Sequence, residues 1–443
     1  MLRVIWMANG ENSEEEVGSK YREAVTAMVT SKTQPATQLD AKVQQLKQSL
    51  SGRFIEREME TVSLLAGLFS NEPVVLIGPP GTAKTKMIEE LGKAVSAKYF
   101  YYLLQPFTEP DELLGPIDIK AYKKKALYKR SEKGGLQEAN ILFLDEPFKA
   151  SSPVRNLLLD IILNKRYKNG DKHVALPVVG IYMAANELPS ESEDAAFYDR
   201  LVIRDFVDYV SKKNRSQLLL RGKDVDSETR AENIGILSLD DVKTLQAEVN
   251  RRVVAAQHDT QLVDKYVAAM SELDEKEIGV SDRMRKKILR VAGAVSVVFG
   301  DKKVEAEHLA TAIYLCAPRD KDDLKTVEDI IAKTEMSTAY RDYLKLENVY
   351  QDLANSYETV KSKAKEEGVS SQSFRGALAD LAGTLDAAKK VQKEVEAGRL
   401  SGSAVYAGFS KLVPAVGAYV DETKKRLTAE PLQAPIQSRA TSY

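Results

Sequence analysis

Apolar positions along the chain follow two periods. Val74–Ile77, Ile141–Leu144 and Val178–Ala184 are short continuous apolar runs, the pattern of parallel strands buried on both faces. Tyr99–Leu104 is an aromatic and apolar run that also predicts a strand. Between them the period is helical: 14–30 (Val17, Tyr21, Val25 and Met28 on one face), 38–51, 55–70 (Met59, Val62, Leu65 and Phe69 inward), Lys84–Ala97 and Pro153–Leu163. Asn169-Gly170 inside Arg166–Val174 is a strong hairpin signal. Strands alternating with helices predict an α/β parallel sheet, with ligands at the carboxyl ends of its strands.

Beyond residue 238 the period is helical throughout. Leu239–Val254, Gln261–Leu273, Asp282–Phe299 and Glu305–Ala317 predict a four-helix all-α domain. From about 337, Tyr343, Leu346, Tyr350, Leu353, Tyr357 and Val360 recur at steps of three and four. Phe374, Leu378, Leu381, Leu385, Ala388 and Val391 do the same, as do Val405, Phe409, Leu412 and Val416, with a kink expected at Pro414. This reads as a three-helix bundle or a long helical hairpin. The predicted organisation is an N-terminal helical segment (1–37), an α/β core (38–225), an all-α domain (226–320), a helical bundle (321–430) and a disordered tail (431–443).

Composition narrows the class. The 443 residues are 43% hydrophobic, enough for two or three cores. The formal net charge of −1 argues against a dedicated nucleic-acid binder. Cys316 is the one cysteine, so no intramolecular disulfide forms, which fits a reducing, cytoplasmic setting. His173, His258 and His308 are far apart, and no His/Cys metal site is expected. No apolar run reaches the ~20 residues of a membrane span. The start, MLRVIWM, is short for a signal sequence, and Met7 is a candidate native start.

The candidate chemistry begins at PVVLIGPPGTAKT, residues 73–85. A strand, a Gly/Pro turn and a new helix form an anion cradle of backbone N–H groups aided by the helix N-terminus. The cradle is Gly78, Pro79, Pro80, Gly81, Thr82 and Ala83, with Ala83 where the pattern GxxxxGK[ST] has its second glycine. Lys84 reaches the outer phosphates and the Thr85 hydroxyl can ligate Mg²⁺. Asp145-Glu146 ends the Ile141–Leu144 run, so Asp145 can hold Mg²⁺ and Glu146 can orient the attacking water. Asn186, after the next strand, can hydrogen-bond the γ-phosphate or that water.

GPPGTAKT, ILFLDE and AANELP together resemble the AAA+ ATPases of the MoxR family. FTEPDELLGP (107–116), FLDEPFKAS (143–151), RYKNG (166–170), NELP (186–189) and YDRLVIR (198–204) are similar to its RavA-like branch. The resemblance implies an AAA+ core with an all-α lid, covering about 40–320. It implies ATP with Mg²⁺ and a ring, expected to be a hexamer. It implies a trans-acting arginine finger, Arg200 or secondarily Arg204, and a lid arginine sensing nucleotide, Arg283. It also implies adenine near Phe54 and Ile55 between core and lid, an extra insert at 106–130 and a pore hairpin at 166–174. The C-terminal helices are similar in kind to the RavA extension, without the β-rich insertion of that branch. The family implies a protein client and a partner carrying a von Willebrand factor A domain. Two alternatives stand beside this reading. The basic stretch 120–133, otherwise a solvated face, fits a nucleic-acid-stimulated motor; the heptad helices fit a nucleotide-gated scaffold. A GTPase is disfavoured, since Asn164-Lys165 is not followed by a base-reading Asp.

Overall fold

A computed structural model describes residues 19–30, 35–116, 130, 135–169, 172–189, 192–226, 235–369, 371–396, 398, 400 and 404–429. The N-terminal residues to 18, the lysine-rich stretch 117–129 and the tail from 431, for which disorder was expected, lie outside the described residues, as does Gly170. The chain divides into two compact units, 1–338 and 339–443.

Five parallel strands form the central sheet in the order β2-β3-β6-β1-β7: β1 Val74–Ile77, β2 Tyr99–Leu103, β3 Ile141–Asp145, β6 Gly180–Ala185 and β7 Ile203–Phe206. The expected α/β class is what the chain adopts. The runs that form β1, β3 and β6 are buried nearly end to end, as two-faced parallel strands require. β7 has no such run, because Arg204 and Asp205 interrupt it. They are tolerated because they are bonded: Asp205 accepts from Arg22 Nη1 at 2.7 Å and Ser63 Oγ at 2.6 Å. β4 (Arg166–Asn169) and β5 (Lys172–Ala175) form the separate antiparallel hairpin that Asn169-Gly170 predicts, with Asn169 opposite Lys172.

Around the sheet lie α1 (Lys20–Thr30), α2 (Gln38–Arg53), α3 (Glu58–Ser70), α4 (Lys84–Ala94), α5 (Pro110–Leu114), α6 (Ser152–Asn164), α7 (Ser192–Tyr198) and α8 (Arg215–Asp226). The all-α region follows with α9 (Leu239–Gln257), α10 (Thr260–Glu275), α11 (Asp282–Phe299) and α12 (Ala306–Cys316). The helical period predicts one inward face for α3, with Met59, Val62, Leu65 and Phe69. In the structure every residue from Met59 to Ser70 is buried. The sheet covers one side, where Tyr182 Oη donates to the Leu64 carbonyl at 3.1 Å, and α11 and α9 cover the other. Gly67 permits this packing, since a Cβ there would lie 2.1 Å from Val74 Cγ2.

The helix α13 (Lys321–Lys333), which the sequence pattern joins to the C-terminal bundle, packs on α10 and α12 within the first unit. Asp320 caps it, accepting from the N–H groups of Asp322 and Asp323. The second unit holds α14 (Thr338–Glu366), α15 (Gln372–Glu396) and α16 (Ala404–Ala429). It is a three-helix bundle rather than a hairpin. Tyr357 and Tyr419 meet edge to face at 5.0 Å, Lys345 pairs with Glu394, and α15 packs along α16. Of the predicted seam, Leu346, Leu353, Val360, Phe374, Leu381 and Val416 are buried, while Tyr350 and Val391 are half-buried.

Candidate nucleotide site

The carboxyl ends of β1, β3 and β6 are laced together by the loops that leave them. Gly78 N–H donates to the Ala185 carbonyl at 3.1 Å and Glu146 N–H to that of Ala184 at 2.8 Å. Val207 N–H donates to the Ile77 carbonyl at 2.7 Å. Gly78 is required by contact, because a Cβ would stand 2.0 Å from the Val207 carbonyl oxygen. The loop then turns through Gly81 (φ +81°) and Ala83 (φ +67°) into α4. Ala83 therefore holds the left-handed backbone that suits glycine, at a cost of about 1–2 kcal/mol.

Lys84 opens α4 and folds back over the loop. Its Nζ donates to the carbonyls of Gly78 (2.6 Å) and Pro79 (2.9 Å) and to Asn186 Oδ1 (3.2 Å). Burial lowers its pKa, opposed by the nearby Glu146 and Asp145 carboxylates. Asn186 Nδ2 donates in turn to Glu146 Oε1. Glu146 is buried and left-handed (φ 54°), a strained backbone of the kind that collects at working sites. Asp145 ends β3 beside it; burial and the Glu146 charge raise its pKa, and Tyr101 Oη stands 3.4 Å from Oδ2. Thr85 is half-buried in the first turn of α4. The structure thus brings Lys84, Asp145, Glu146 and Asn186 to the mouth of one loop.

Phe54 and Ile55 lie just before Arg57, which ties them to this loop: Arg57 Nε donates to the Thr82 carbonyl at 3.2 Å and Nη2 to that of Asp208 at 2.7 Å. Glu56 accepts from Ser211 N–H at 2.6 Å and from Asn214 Nδ2 at 2.6 Å. The flank of the loop beside Phe54 and Ile55 is therefore closed by 208–214, while the helix that leads into them pairs with the all-α region through Lys42 and Asp241. Arg57 escaped the sequence reading, since an arginine before an apolar helix carries no motif. Lys149 also went unread. Its Nζ is 3.5 Å from Glu146 Oε2, and its spacing of three from Glu146 was a usable signal.

The arginines do not join this cluster. Arg283 is exposed on the first turn of α11, and one turn on Lys287 bonds Glu72, which precedes β1. Arg283 thus lies at the amino edge of the sheet, away from the phosphate loop of its own chain, where the expected lid sensor would have to reach. The reason is the packing of α11 along the back of α3. Arg204, the second choice for a trans finger, is corrected too. It is 5% exposed, stacks on Tyr198 (4.5 Å) and donates to the carbonyls of Leu201, Pro318 and Tyr198. Arg200 is half-buried, bonded through Nη1 to the Ala196 carbonyl, with Nε buried and unpartnered.

The donor set fits Mg²⁺ with a nucleotide: a hydroxyl and a carboxylate at one mouth, both hard oxygen donors, too few for an all-protein cage. Among the described residues no group of three His, Cys, Asp or Glu could hold a metal alone, and no helix is long and apolar enough to cross a membrane.

Residues 41–247 match a family model described as the MoxR domain in the MoxR–vWA–β-propeller ternary systems. Two uncharacterised proteins of Methanocaldococcus jannaschii are 33% and 31% identical over 268 and 290 residues, 60% and 66% of this chain and 69% and 73% of theirs. The chaperone MoxR1 of Mycobacterium tuberculosis is 26% identical over 163 residues, 36% of this chain and 42% of its own. A solved structure of a candidate ATPase from Cytophaga hutchinsonii superposes with a TM-score of 0.54 at 18% identity, over 71% of this chain and 98% of that one, a likeness of fold. With the phosphate loop, the acidic strand end and Asn186 assembled on an AAA+ sheet, the chain belongs to the MoxR family of AAA+ ATPases.

Proposed function

We propose that the protein hydrolyses ATP and uses the cycle to remodel or mature protein complexes. The observation that carries this is the hydrogen-bonded line Lys84–Asn186–Glu146 across the mouth of the loop. Bound Mg²⁺ would be held through Thr85 and Asp145 and would neutralise charge on the phosphates. Lys84 then exchanges its loop carbonyls for phosphate oxygens. That exchange frees Asn186, and Glu146 turns to align water for in-line attack. Lys149 holds the second oxygen of Glu146 and restrains it until then.

The rest of the reading is assembly. We assign Arg200 as the finger that meets a neighbour's γ-phosphate in a ring, taken as a hexamer. Its unpartnered Nε and its place ahead of the amino end of β7 support this. The location of Arg283 at the same edge supports a role toward a neighbour's nucleotide rather than its own. The matching family model supports a partner with a von Willebrand factor A domain. The motifs at 107–116, 143–151 and 198–204 support the RavA-like branch. A cytoplasmic site of action fits the single buried cysteine.

Subunit mixing tests it. Arg200→Ala should abolish turnover alone and regain part of it when mixed with Glu146→Gln chains, which supply the arginine. Absence of recovery would remove the shared site.

A further inference from the structure

Between the N-terminal helix α1 and the phosphate loop, two arginines and two carboxylates share one largely buried cluster. Arg22 of α1 divides its guanidinium. Its Nη2 donates to Glu60 Oε1 at 2.7 Å, and its Nη1 donates to Asp205 Oδ1 at 2.7 Å and to the Phe206 carbonyl at 3.0 Å. Arg57 Nη1 stands 4.0 Å from the same Glu60 oxygen. Arg57 is the clamp on the Thr82 and Asp208 carbonyls. One carboxylate oxygen in the first turn of α3 therefore faces both α1 and the clamp of the loop. The place of Arg22 is fixed in turn by the all-α region. Tyr21 Oη and Thr311 Oγ1 are bonded at 3.0 Å, Tyr314 Oη donates to Ser19 Oγ at 2.8 Å, and Ser19 Oγ donates to Glu328.

The two carboxylates are not equivalent. Asp205 uses both oxygens, the second accepting from Ser63 Oγ at 2.6 Å. Glu60 is 1% exposed, and its Oε2 is buried without a hydrogen-bond partner. A proton taken up by the pair therefore goes to Glu60. Burial, aided by the Asp205 charge, pushes the Glu60 carboxyl up to about 7 against the pull of Arg22 and Arg57. Glu58, Tyr314 and Glu328 act on Arg22 from α3, α12 and α13. Ionised, Glu60 is a counter-charge for the buried Arg57. Protonated, it leaves that guanidinium uncompensated, and a buried cation without its anion is costly. Moving toward water relieves the cost and breaks the bonds to Thr82 and Asp208.

We propose that Glu60 is a positioning residue for the nucleotide: gripped by Arg22, its carboxylate keeps Arg57 on the Thr82 carbonyl and so holds the phosphate loop in the shape that receives phosphates. Proton uptake at Glu60 loosens the loop, and ATP is held more weakly in mild acid. The effect on ATP rests on the reading of the loop as an ATP site; the effect on the loop does not.

The test compares full-length wild type, Glu60→Gln and Arg22→Lys at about pH 6 and about pH 8. In the ligand-free chain, amide hydrogen exchange is read over 78–87 and 208–214, corrected for intrinsic rates. Wild type should be more protected at the higher pH, and Glu60→Gln should be equally unprotected at both. ATP affinity by calorimetry should fall about tenfold for wild type on acidification, the scale set by one proton, and stay flat for Glu60→Gln. The titration of ATP itself is common to both chains and cancels in the comparison. Arg22→Lys keeps the charge and loses the fork, so the step should move to higher pH, which a merely structural carboxylate would not show. Exchange over 78–87 indifferent to Glu60→Gln, or a step in affinity that survives that substitution, overturns the proposal. Loosened exchange in Glu60→Gln, with no ATP binding that depends on Lys84 in any chain, upholds the positioning role and removes the ATP reading instead.

Discussion

Lys84 and Asn186 are joined by a 3.2 Å hydrogen bond from Nζ to Oδ1, and through the Asn186 amide the lysine is linked to Glu146. One side chain therefore reports whether the loop lysine is engaged and hands that state to the water-directing carboxylate. Asn186→Ala should keep ATP binding within about threefold and cut turnover about 10²-fold, the scale for losing one aligned donor. Turnover near wild type, measured by phosphate release at saturating ATP, would detach Asn186 from the chemistry.

Arg57 locks the Thr82 carbonyl to that of Asp208. Arg57→Ala leaves the Thr82 carbonyl buried without its partner, costing about 1–3 kcal/mol. ATP affinity should fall about tenfold or more, with a lesser effect on turnover once ATP is saturating. Calorimetric titration of ATP together with a KM and kcat split checks this.

Ala83 occupies a left-handed backbone where the loop pattern has glycine. Ala83→Gly removes a steric cost of about 1–2 kcal/mol and adds the entropy of an unfolded glycine, about 0.5–1 kcal/mol. The net expectation is a gain of up to about 1.5 kcal/mol in urea unfolding with ATP binding preserved. A loss of stability would show that the φ of +67° is not strained.

Lys47 is 1% exposed, and burial lowers its pKa to about 8, with Asp301 opposing; Lys165 behaves alike. Between pH 8 and 10 the unfolded chain holds protons on these amines that the folded chain has released. Unfolding free energy should therefore rise with pH through this window. The ceiling is about 3 kcal/mol for each lysine at 1.36 kcal/mol per pKa unit. Lys47→Met should flatten the rise measured by urea unfolding at pH 7.5, 8.5 and 9.5.

The parts of this molecule that obey local rules were legible in the chain. β1, β3 and β6 announce themselves because strands covered on both faces are apolar throughout. The loop at 78–85 does so because phosphate cradles need small residues at fixed places. The hairpin at Asn169 and the helices from 239 to 316 follow turn chemistry and period. What was not legible depends on partners distant in sequence. β7 hides behind Arg204 and Asp205, whose burial is allowed by Arg22 and Ser63 for the carboxylate and by Tyr198, Leu201 and Pro318 for the guanidinium. Arg283 reads as a lid sensor, yet α3 is buried on every side and draws α11 to the back of the sheet. Arg57 reaches the loop through two carbonyls, 25 and 151 positions away. No local pattern encodes such contacts.

The central claim is that Lys84, Asn186 and Glu146 form one ATP-hydrolysing centre. Its most direct test is the Glu146→Gln variant, with ATP affinity by calorimetry and phosphate release on the same preparation. The account predicts ATP bound as tightly as by wild type and turnover lowered at least about 10²-fold. Undiminished turnover by that variant would contradict it.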